Sequence, residues 1–352
     1  MAKFLFLLLL QTCFTTLSLS VITNVPAVIV FGDSTVDTGN NNYISTSLKA
    51  NHTPYGLNFK GGGGGGGATG RFSDGRLVPD LLASALGVKE IVPPFLDPGN
   101  SDEDIRTGVC FASAGSGFDD LTTVASGAIP VSKQMEMLKQ YLERLRKIVG
   151  EKEASNITSN ALIIVSAGTN DLIFNFYDIP TRRAQYNMYG YQDFLLDRIK
   201  SLVQEIHNEG GRKFIVAGLA PIGCVPIQRN INLLSRLCKD DENLDATIYN
   251  SKLQNLLTQL QNSLPETRIG YVDIFNPAID MINNPSKYGL EETGRGCCGT
   301  GYVEMGPSCS LSSRPCSDPS KFMFWDAVHP SQVVYKLITE KLLNDVIPSL
   351  YN

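Results

Sequence analysis

Charged side chains are scarce in this 352-residue chain, and basic ones do not outnumber acidic ones. They make up 18% of the residues and leave a formal net charge of −5. A chain of this charge lacks the basic surface that binds nucleic acid or anionic membranes, so we expect neither as a partner. Beyond the first twenty residues there is no apolar run long enough to span a bilayer, and no internal repeat or linker divides the chain.

The apolar run at the N-terminus is too short for a membrane anchor. Lys3 precedes the apolar stretch Phe4–Leu10, polar residues interrupt it from Gln11 onward, and Ser18-Leu19-Ser20 offers small residues for cleavage. This order is typical of a secretory signal peptide. We therefore expect residues 1–20 to be a signal peptide, residues 21–352 to form a single domain, and the protein to be secreted and extracellular.

No Cys-x-x-Cys pair occurs among the eight cysteines, which disfavours a zinc site. Cys13 lies in the predicted signal peptide, and Cys110 lies in an apolar segment and is expected to be a buried free thiol. In a secreted protein the rest are candidates for disulfides, with the pairing left open: Cys224, Cys238, Cys297, Cys298, Cys309 and Cys316. Asn51-His-Thr and Asn156-Ile-Thr are candidate glycosylation sites in the same compartment.

Apolar runs of strand length alternate with stretches of helical periodicity. The predicted strands are Ala27–Phe31, Thr107–Ala112, Ala161–Ser166, Lys213–Gly218 and Arg268–Ile274. Apolar residues at steps of three or four predict helices over Val131–Val149, Phe194–Ile206, Leu244–Leu264 and Val333–Leu342. This alternation predicts an α/β fold in which a parallel sheet carries helices on both faces.

Two long loops interrupt the alternation. Seven consecutive glycines, Gly61–Gly67, lack both a preceding strand and the Gly-Lys-Ser/Thr ending of a phosphate-binding loop, so we expect a flexible surface loop. The segment Tyr288–Trp325 is too long for a bare connection, and we expect disulfides to hold it and orient the residues that follow.

The first predicted strand ends abruptly at Gly32-Asp33-Ser34. Open α/β sheets bind their ligands at the carboxyl ends of parallel strands, where this turn lies. A serine in such a turn is either a nucleophile or an ordinary helix N-cap, and the turn alone does not decide between them.

A serine nucleophile needs a base, and the chain has only three histidines. His207 lies at the end of a predicted helix, where an imidazole favourably meets the last carbonyls, and His52 lies in a polar loop without a nearby acid. His329 follows Asp326 by three residues, ahead of Pro330, which we expect to begin the last helix. The carboxylate of Asp326 could orient the His329 ring, or it could only cap that helix. The built-in acid favours His329 as the base.

Two further strand ends offer hydrogen-bond donors for a developing oxyanion. Gly115 can bring its backbone N–H close to a substrate because it has no side chain, and Asn170 offers a side-chain amide. Together with the N–H of Ser34 these groups would form a three-donor oxyanion hole at one edge of the sheet.

These blocks, in this order, resemble the GDSL esterase/lipase family of the SGNH hydrolases. The matching residues are Gly32-Asp33-Ser34 with Asp37 and Gly39-Asn40, then Gly115, Gly168-Thr-Asn170-Asp171, and Asp326-x-x-His329. Gly218–Pro226 and Cys297–Gly301 further resemble the secreted plant branch, the extracellular lipases. The chain departs from the family pattern at Thr35, where leucine is common, at Cys110, where asparagine is usual, and at Ala114, where glycine is common. The glycine run is also longer than the family leads us to expect.

The resemblance implies a three-layer α/β/α sandwich with a parallel, flavodoxin-like five-stranded sheet. It implies Ser34 as nucleophile, His329 as base, Asp326 as its orienting acid, and Ser34, Gly115 and Asn170 as oxyanion-hole donors, with no metal or other cofactor. It also implies lipid degradation or related ester hydrolysis through an acyl-enzyme.

Three functions fit these residues. The first is ester hydrolysis, the second is acyl transfer to an alcohol by the same triad, and the third is a catalytically silent lipid- or carbohydrate-binding protein. The substrate stays open among long-chain lipids, cutin-like cell-wall polyesters, acetylated polysaccharides and small phenolic esters. The tyrosines Tyr177, Tyr186, Tyr189 and Tyr191 could line an acyl groove, but packing is the simpler expectation.

Overall fold

The computed structural model describes residues 25–60, 67–230 and 236–351. The predicted signal peptide, residues 1–20, and most of the predicted glycine loop, residues 61–66, lie outside the described residues. Among the described residues, every helix is too short or too polar to cross a membrane.

Four parallel strands form the central sheet in the order β1-β2-β3-β4. They are β1 Val28–Gly32, β2 Leu162–Ser166, β3 Lys213–Ala217 and β4 Arg268–Val272. Two short strands pair separately near the C-terminus: β5 Glu292–Gly296 and β6 Phe322–Phe324. The α/β class and the parallel sheet are therefore confirmed.

Helices precede, connect and follow the strands. The α-helices are α1 Val78–Ala85, α2 Asp102–Arg106, α3 Leu121–Val124, α4 Val131–Val149, α5 Glu151–Asn160, α6 Thr169–Leu172, α7 Met188–Asn208, α8 Pro226–Asn230, α9 Asp240–Ser263, α10 Phe275–Asn283, α11 Gln332–Lys341 and α12 Ile347–Tyr351. Two π-helical turns, Ile173–Asp178 and Leu342–Val346, extend α6 and α11. The last long helix begins at Gln332, with Ser331 as its N-cap, so the expected start at Pro330 was wrong.

The predicted second strand, Thr107–Ala112, is not a regular strand. Its segment runs parallel to β1 and exchanges hydrogen bonds with it, such as Val28 N–H to Thr107 O (3.1 Å) and Phe111 N–H to Val30 O (2.7 Å). Gly108 interrupts the extended backbone with a φ of +94°, and a Cβ there would lie 2.1 Å from the carbonyl oxygen of Val28. The sheet therefore has four strands and an irregular fifth segment beside β1.

With that segment, the spatial order is 107–112, β1, β2, β3, β4, which is the flavodoxin-like order. After β1 the chain continues to the irregular segment on one side of this strand, and it later forms β2 on the other side. Such a reversal creates a crevice at the carboxyl ends of the two strands, and ligands bind there in open α/β sheets.

The sheet is buried on both faces. Successive residues of a strand point to opposite faces, so Ile29, Phe31, Ile163 and Val165 pack with α4, α5, α7 and α9. Their neighbours Val28, Val30, Leu162 and Ile164 pack with α1, α11 and α12. This arrangement is the predicted three-layer α/β/α sandwich.

Three disulfides join six of the seven described cysteines: Cys224–Cys238, Cys297–Cys316 and Cys298–Cys309. Cys110 is free and buried among the described residues, as predicted. Two of the disulfides lie within Tyr288–Trp325, so that long segment is tied down shortly before Asp326 and His329. Asn51 and Asn156 are both exposed, the first in a loop and the second within α5.

A buried ion pair joins the loop after β1 to α1. Arg71 is 3% exposed and donates two hydrogen bonds to Asp80, at 2.8 and 2.7 Å. The same guanidinium donates to the carbonyls of Thr38 and Val92 (3.0 Å each), and Asp80 accepts the N–H of Val92 (3.0 Å). Because every partner is removed from water, losing one would leave the other charge unpaired.

We expect Asp80→Asn to lower the free energy of unfolding by about 3–5 kcal/mol, since it leaves the buried guanidinium without a counter-charge. The matched control is Glu90→Gln, which breaks the Arg76–Glu90 pair (3.5 Å), where the Glu90 side chain is 73% exposed. That change should cost about 0–1 kcal/mol. Urea unfolding of both variants measures these changes. Equal losses of unfolding free energy would contradict a stabilising role for the buried Arg71–Asp80 pair.

Candidate active site

Ser34 lies in a tight turn directly after β1, at the carboxyl edge of the sheet. The N–H of Asp33 donates to the carbonyl of Ser166 at the end of β2 (3.0 Å), which ties the turn to the neighbouring strand. Gly32 has a φ of +148°, and a Cβ there would lie 2.0 Å from that same carbonyl oxygen. Only glycine permits this approach. No helix begins at Ser34, so the N-cap alternative is not what the structure shows.

The side chain of Asp33 stabilises the same turn. Its carboxylate accepts hydrogen bonds from the N–H (2.9 Å) and the hydroxyl (2.7 Å) of Thr35. Burial raises the pKa of Asp33, and the hydrogen bonds from Thr35 partly oppose that rise. Thr35, which departs from the leucine of the family pattern, therefore has a structural role here.

A buried glutamine secures the end of β1 from the opposite side. Gln134 of α4 accepts the N–H of Gly32 (2.9 Å) and donates to the carbonyl of Gly32 (2.9 Å). It also donates to the hydroxyl of Ser116 (3.2 Å). The sequence reasoning missed this residue. Its signal was a polar side chain on the apolar stripe between Val131 and Leu138.

The imidazole of His329 joins Ser34 to Asp326. Nε2 lies 2.8 Å from Ser34 Oγ, and Nδ1 lies 2.8 Å from each carboxylate oxygen of Asp326. Asp326 is fully buried, while His329 and Ser34 are 5% and 7% exposed. A proton on Nδ1, held by the carboxylate, leaves Nε2 able to accept the proton of the serine hydroxyl.

The turn between Asp326 and His329 is rigid. Asp326 Oδ1 accepts the N–H groups of Val328 (2.8 Å) and His329 (2.7 Å), and Trp325 N–H donates to the carbonyl of His329 (2.7 Å). Phe72 packs on the imidazole with ring centroids 4.8 Å apart. Asp326 lies well before the start of α11, so its carboxylate contacts the ring and does not cap that helix.

The other two histidines lie elsewhere. His207 is near the end of α7, and its Nε2 contacts the carbonyl of Pro265 (3.2 Å) rather than a carbonyl of its own helix. The ring nitrogens of His52 contact the carbonyls of Thr53 and Lys49 (3.2 Å each). The structure thus brings only His329 of the three to Ser34.

Gly115 follows the irregular segment beside β1, and both backbone groups of the preceding residue, Ala114, are hydrogen-bonded. Ala114 N–H donates to Asp37 Oδ2 (2.9 Å), and Asn41 Nδ2 donates to the carbonyl of Ala114 (3.0 Å). Gly115 has a φ of +85°, and a Cβ would lie 2.3 Å from Leu48 Cδ1. Among the described residues, the N–H groups of Gly115 and Ser34 donate to no other protein group.

The carboxylate of Asp37 fixes the turn that follows Ser34. Its Oδ1 accepts the N–H groups of Gly39 and Asn40 (2.8 Å each), and its Oδ2 reaches Ala114. Burial raises the pKa of Asp37 to about 6, against the opposing effect of these donors. The side chain therefore connects the serine turn to the Gly115 turn.

Asn170 lies in the first turn of α6, directly after β2, and is 5% exposed. Its Nδ2 donates one hydrogen bond to the carbonyl of Ser116 (2.8 Å). A side-chain amide has two N–H groups, so one remains for another acceptor. Ser34, Gly115, Asn170 and His329 all line one cleft of about 430 Å³.

The walls of this cleft are mainly apolar. They include Leu48, Leu121, Val124, Phe174, Ile179 and Met305. Val124 and Ile179 are 73% and 54% exposed, so hydrophobic side chains reach from the serine to the surface. Of the tyrosines considered as groove residues, Tyr191 is buried against Phe176 and Phe194, and Tyr177 donates to Asp245 (2.5 Å). Packing was the better expectation for these two.

A second, smaller apolar cavity of about 140 Å³ adjoins Ser34 and Asn170 on the side of β3 and β4. It is lined by residues such as Ile215, Met281 and Phe324, and the imidazole of His329 is not part of its wall. The larger cleft is therefore where a substrate would meet both the serine and the histidine.

Asp171, next to Asn170, holds the loop that carries one wall of the cleft. Its carboxylate accepts the N–H groups of Phe118 (2.9 Å) and Asp119 (3.1 Å) and the hydroxyl of Thr122 (2.6 Å). Burial raises the pKa of Asp171 to about 7, and the charge of nearby Asp119 adds to the rise.

The chain is similar to known proteins over most of its length. The family model for GDSL-like lipase/acylhydrolase matches residues 28–342. Three proteins of Arabidopsis thaliana, each named a GDSL esterase/lipase, are 50%, 51% and 50% identical to this chain. The alignments cover 91%, 89% and 90% of this chain and 89%, 87% and 88% of those proteins.

The raised pKa of Asp171 gives a pH-dependent stability. Because the fold favours the protonated carboxyl, its contribution is fully present below the ordinary aspartate pKa and is lost as the pH rises through about 7. Asparagine cannot ionise. The free energy of unfolding of the wild type, minus that of Asp171→Asn, should therefore fall across this range, by at most about 1.4 kcal/mol per pH unit.

Urea unfolding of both proteins at several pH values measures this difference. Asp120, an exposed residue that follows Asp119 in the chain, supplies the control variant Asp120→Asn. For this control we expect the difference in the free energy of unfolding to change much less with pH. A wild-type advantage over Asp171→Asn that stays constant, or grows with pH, would contradict the assignment.

Proposed function

Since the chain belongs to the GDSL-like lipase/acylhydrolase family, we propose that it hydrolyses carboxylic esters through an acyl-enzyme formed on Ser34. The family membership and the esterase/lipase relatives establish the class of enzyme. The proposal concerns the residues that carry the reaction, with His329 as general base and Asp326 as its orienting acid. The observation that carries it is the continuous contact Ser34 Oγ–His329–Asp326 at 2.8 Å on each side of the ring.

In the first half of the reaction, Ser34 Oγ forms a bond to the ester carbonyl carbon while its proton moves to His329 Nε2. The imidazolium that results lies between the serine and the buried carboxylate of Asp326, which stabilises its charge. When the tetrahedral intermediate collapses, the bond to the alcohol oxygen breaks and Nε2 gives its proton to that oxygen. The acyl group remains on Ser34.

In the second half, water takes the place of the alcohol. His329 Nε2 removes a proton from the water as its oxygen bonds to the acyl carbon, and the bond to Ser34 Oγ then breaks. The proton returns to Oγ, and the carboxylic acid leaves. No step requires a metal or an organic cofactor.

Three donors would stabilise the oxyanion in both halves. The N–H groups of Ser34 and Gly115 have no protein acceptor among the described residues, and one of the two amide N–H groups of Asn170 is left to bind another acceptor. All three residues line the larger cleft together with His329. Fixed donors of this kind act on the charge that develops in the transition state and need no reorganisation.

The cleft favours an ester with an apolar acyl group. Its wall includes Leu121, Val124 and Phe174 as well as the serine, and hydrophobic burial contributes roughly 0.8 kcal/mol per methylene group. A lipid-like or aromatic acyl group would gain from this wall, whereas an acetyl group would leave most of it empty.

Secretion is part of the proposal. It is supported by the predicted signal at residues 1–20, by three disulfides, and by exposed asparagines in both glycosylation sequons, Asn51 and Asn156. Disulfides form and persist in the secretory pathway and are rare in the reducing cytosol.

Ser34→Ala removes the proposed nucleophile and should lower kcat on a short-chain ester by about 10⁴-fold or more. Ser132→Ala is the matched control, since it deletes an exposed hydroxyl whose one hydrogen bond within the described part of the chain goes to Asp120 (2.7 Å). The control should keep wild-type kcat. If Ser34→Ala kept most of the wild-type activity, the proposal would be wrong.

Asn170→Ala removes one of the three proposed oxyanion donors. We expect kcat to fall by roughly 10²–10³-fold with a much smaller change in KM, because the donor acts mainly in the transition state. Steady-state kinetics on the same ester measures both constants. A change confined to KM would show that Asn170 only helps to bind substrate.

A further inference from the structure

We propose that Tyr55 is a positioning residue for the reaction, acting on Asp326 and coupling it to the loop closed by the Cys298–Cys309 disulfide. The inference rests on the proposed function, since it assigns a role to a group that touches the orienting acid. Tyr55 lies in the loop after β1, 271 residues before Asp326 in sequence.

The two oxygens of the Asp326 carboxylate are held differently. Oδ1 accepts two backbone N–H groups from its own turn, those of Val328 and His329. Oδ2 accepts the hydroxyl of Tyr55 at 2.6 Å. Among the described residues, Tyr55 is the only donor to Oδ2 apart from the His329 ring itself.

This asymmetry matters because a carboxylate can turn about its Cβ–Cγ bond. His329 Nδ1 lies at the same distance, 2.8 Å, from both oxygens, so rotation of the carboxylate would change the direction of the hydrogen bonding that holds the ring. The backbone donors fix only one oxygen. Tyr55 fixes the second, and with it the plane of the carboxylate.

The Tyr55 hydroxyl is itself held by a second hydrogen bond. It accepts the backbone N–H of Gly306 at 2.7 Å. Burial and the charge of Asp326 raise the pKa of Tyr55 well above its ordinary value, so the hydroxyl stays protonated and continues to donate. The chain of contacts therefore runs from Gly306 through Tyr55 to Asp326 and His329.

The ring of Tyr55 has little freedom to move. It is 1% exposed and packs against Trp325 and Phe72, with ring centroids 6.1 and 5.5 Å apart. Trp325 directly precedes Asp326, and Phe72 packs on His329. Tyr55 therefore belongs to the wall that surrounds the acid and the base together.

Gly306 lies between Cys298 and Cys309, so the disulfide closes a short loop around the N–H that Tyr55 accepts. Opening that bond would leave Gly306 in the longer loop that Cys297–Cys316 closes, so the N–H that fixes the Tyr55 hydroxyl would be held less tightly. The redox state of Cys298 and Cys309 is in this way linked to the orientation of the Asp326 carboxylate.

The test is Tyr55→Phe, which deletes one hydroxyl. Tyr141→Phe is the matched control, because Tyr141 is equally buried and its hydroxyl has no partner in the described part of the chain. We expect Tyr55→Phe to lower kcat by about 10- to 100-fold, as misplacement of a catalytic group by about an ångström does, with little change in KM. The control should keep both constants.

The outcomes separate this inference from the proposed function. If the wild type shows no turnover that depends on Ser34, the proposed function fails. If the wild type is active and Tyr55→Phe matches Tyr141→Phe in kcat, the inference alone is overturned. A rise in KM with kcat unchanged also overturns it, because that pattern belongs to a residue that only shapes the cleft.

The double variant Cys298→Ser with Cys309→Ser tests the coupling to the loop, and it decides the matter if Tyr55→Phe does not fold. It should lower kcat with little change in KM. In the Tyr55→Phe background the same cysteine changes should add little further loss, because the contact they act through is already gone. Unchanged kcat, or losses that multiply fully, would overturn the coupling.

Discussion

The close pairing of β1 with β2 at their carboxyl ends is the constraint on which the site depends. The N–H of Asp33 reaches the carbonyl of Ser166, and only a glycine at position 32 allows the two backbones to approach this far. That approach puts Ser34 and Asn170 on adjacent strand ends, at the point where the strand order reverses. Any side chain at Gly32 would push apart the proposed nucleophile and one of its proposed oxyanion donors.

Buried polar side chains fix the loops around this point. Gln134 satisfies both backbone groups of Gly32, Asp37 connects the serine turn to Ala114, and Asp171 holds the loop at Phe118 and Asp119. Buried hydrogen bonds of this kind are expensive to leave unmade, so each loop has one strongly favoured position. The proposed catalytic groups can then be fixed without regular secondary structure, as Tyr55 illustrates for the carboxylate of Asp326.

Patterns that are local in sequence predicted much of this molecule. The apolar runs and the helical periodicity indicated four of the strands and the long helices, and the family resemblance indicated the layered fold. The turn at Ser34 and the Asp326-x-x-His329 spacing indicated residues that the structure brings together. The segment Thr107–Ala112 failed as a strand because one glycine, Gly108, bends its backbone, which apolarity does not register. Contacts such as Gln134 with Gly32, 102 residues apart, and Tyr55 with Asp326 depend on tertiary packing, so no local pattern could reveal them.

The central claim is that Ser34 is a nucleophile activated by His329, and covalent labelling tests it most directly. A fluorophosphonate forms a stable bond only with a serine activated in this way, and peptide mass mapping of the labelled protein locates the adduct. We expect one adduct, on the peptide that contains Ser34, and its loss in His329→Ala. A folded wild-type protein that takes up no label, or takes it up at another residue, would show that Ser34 is not the activated nucleophile.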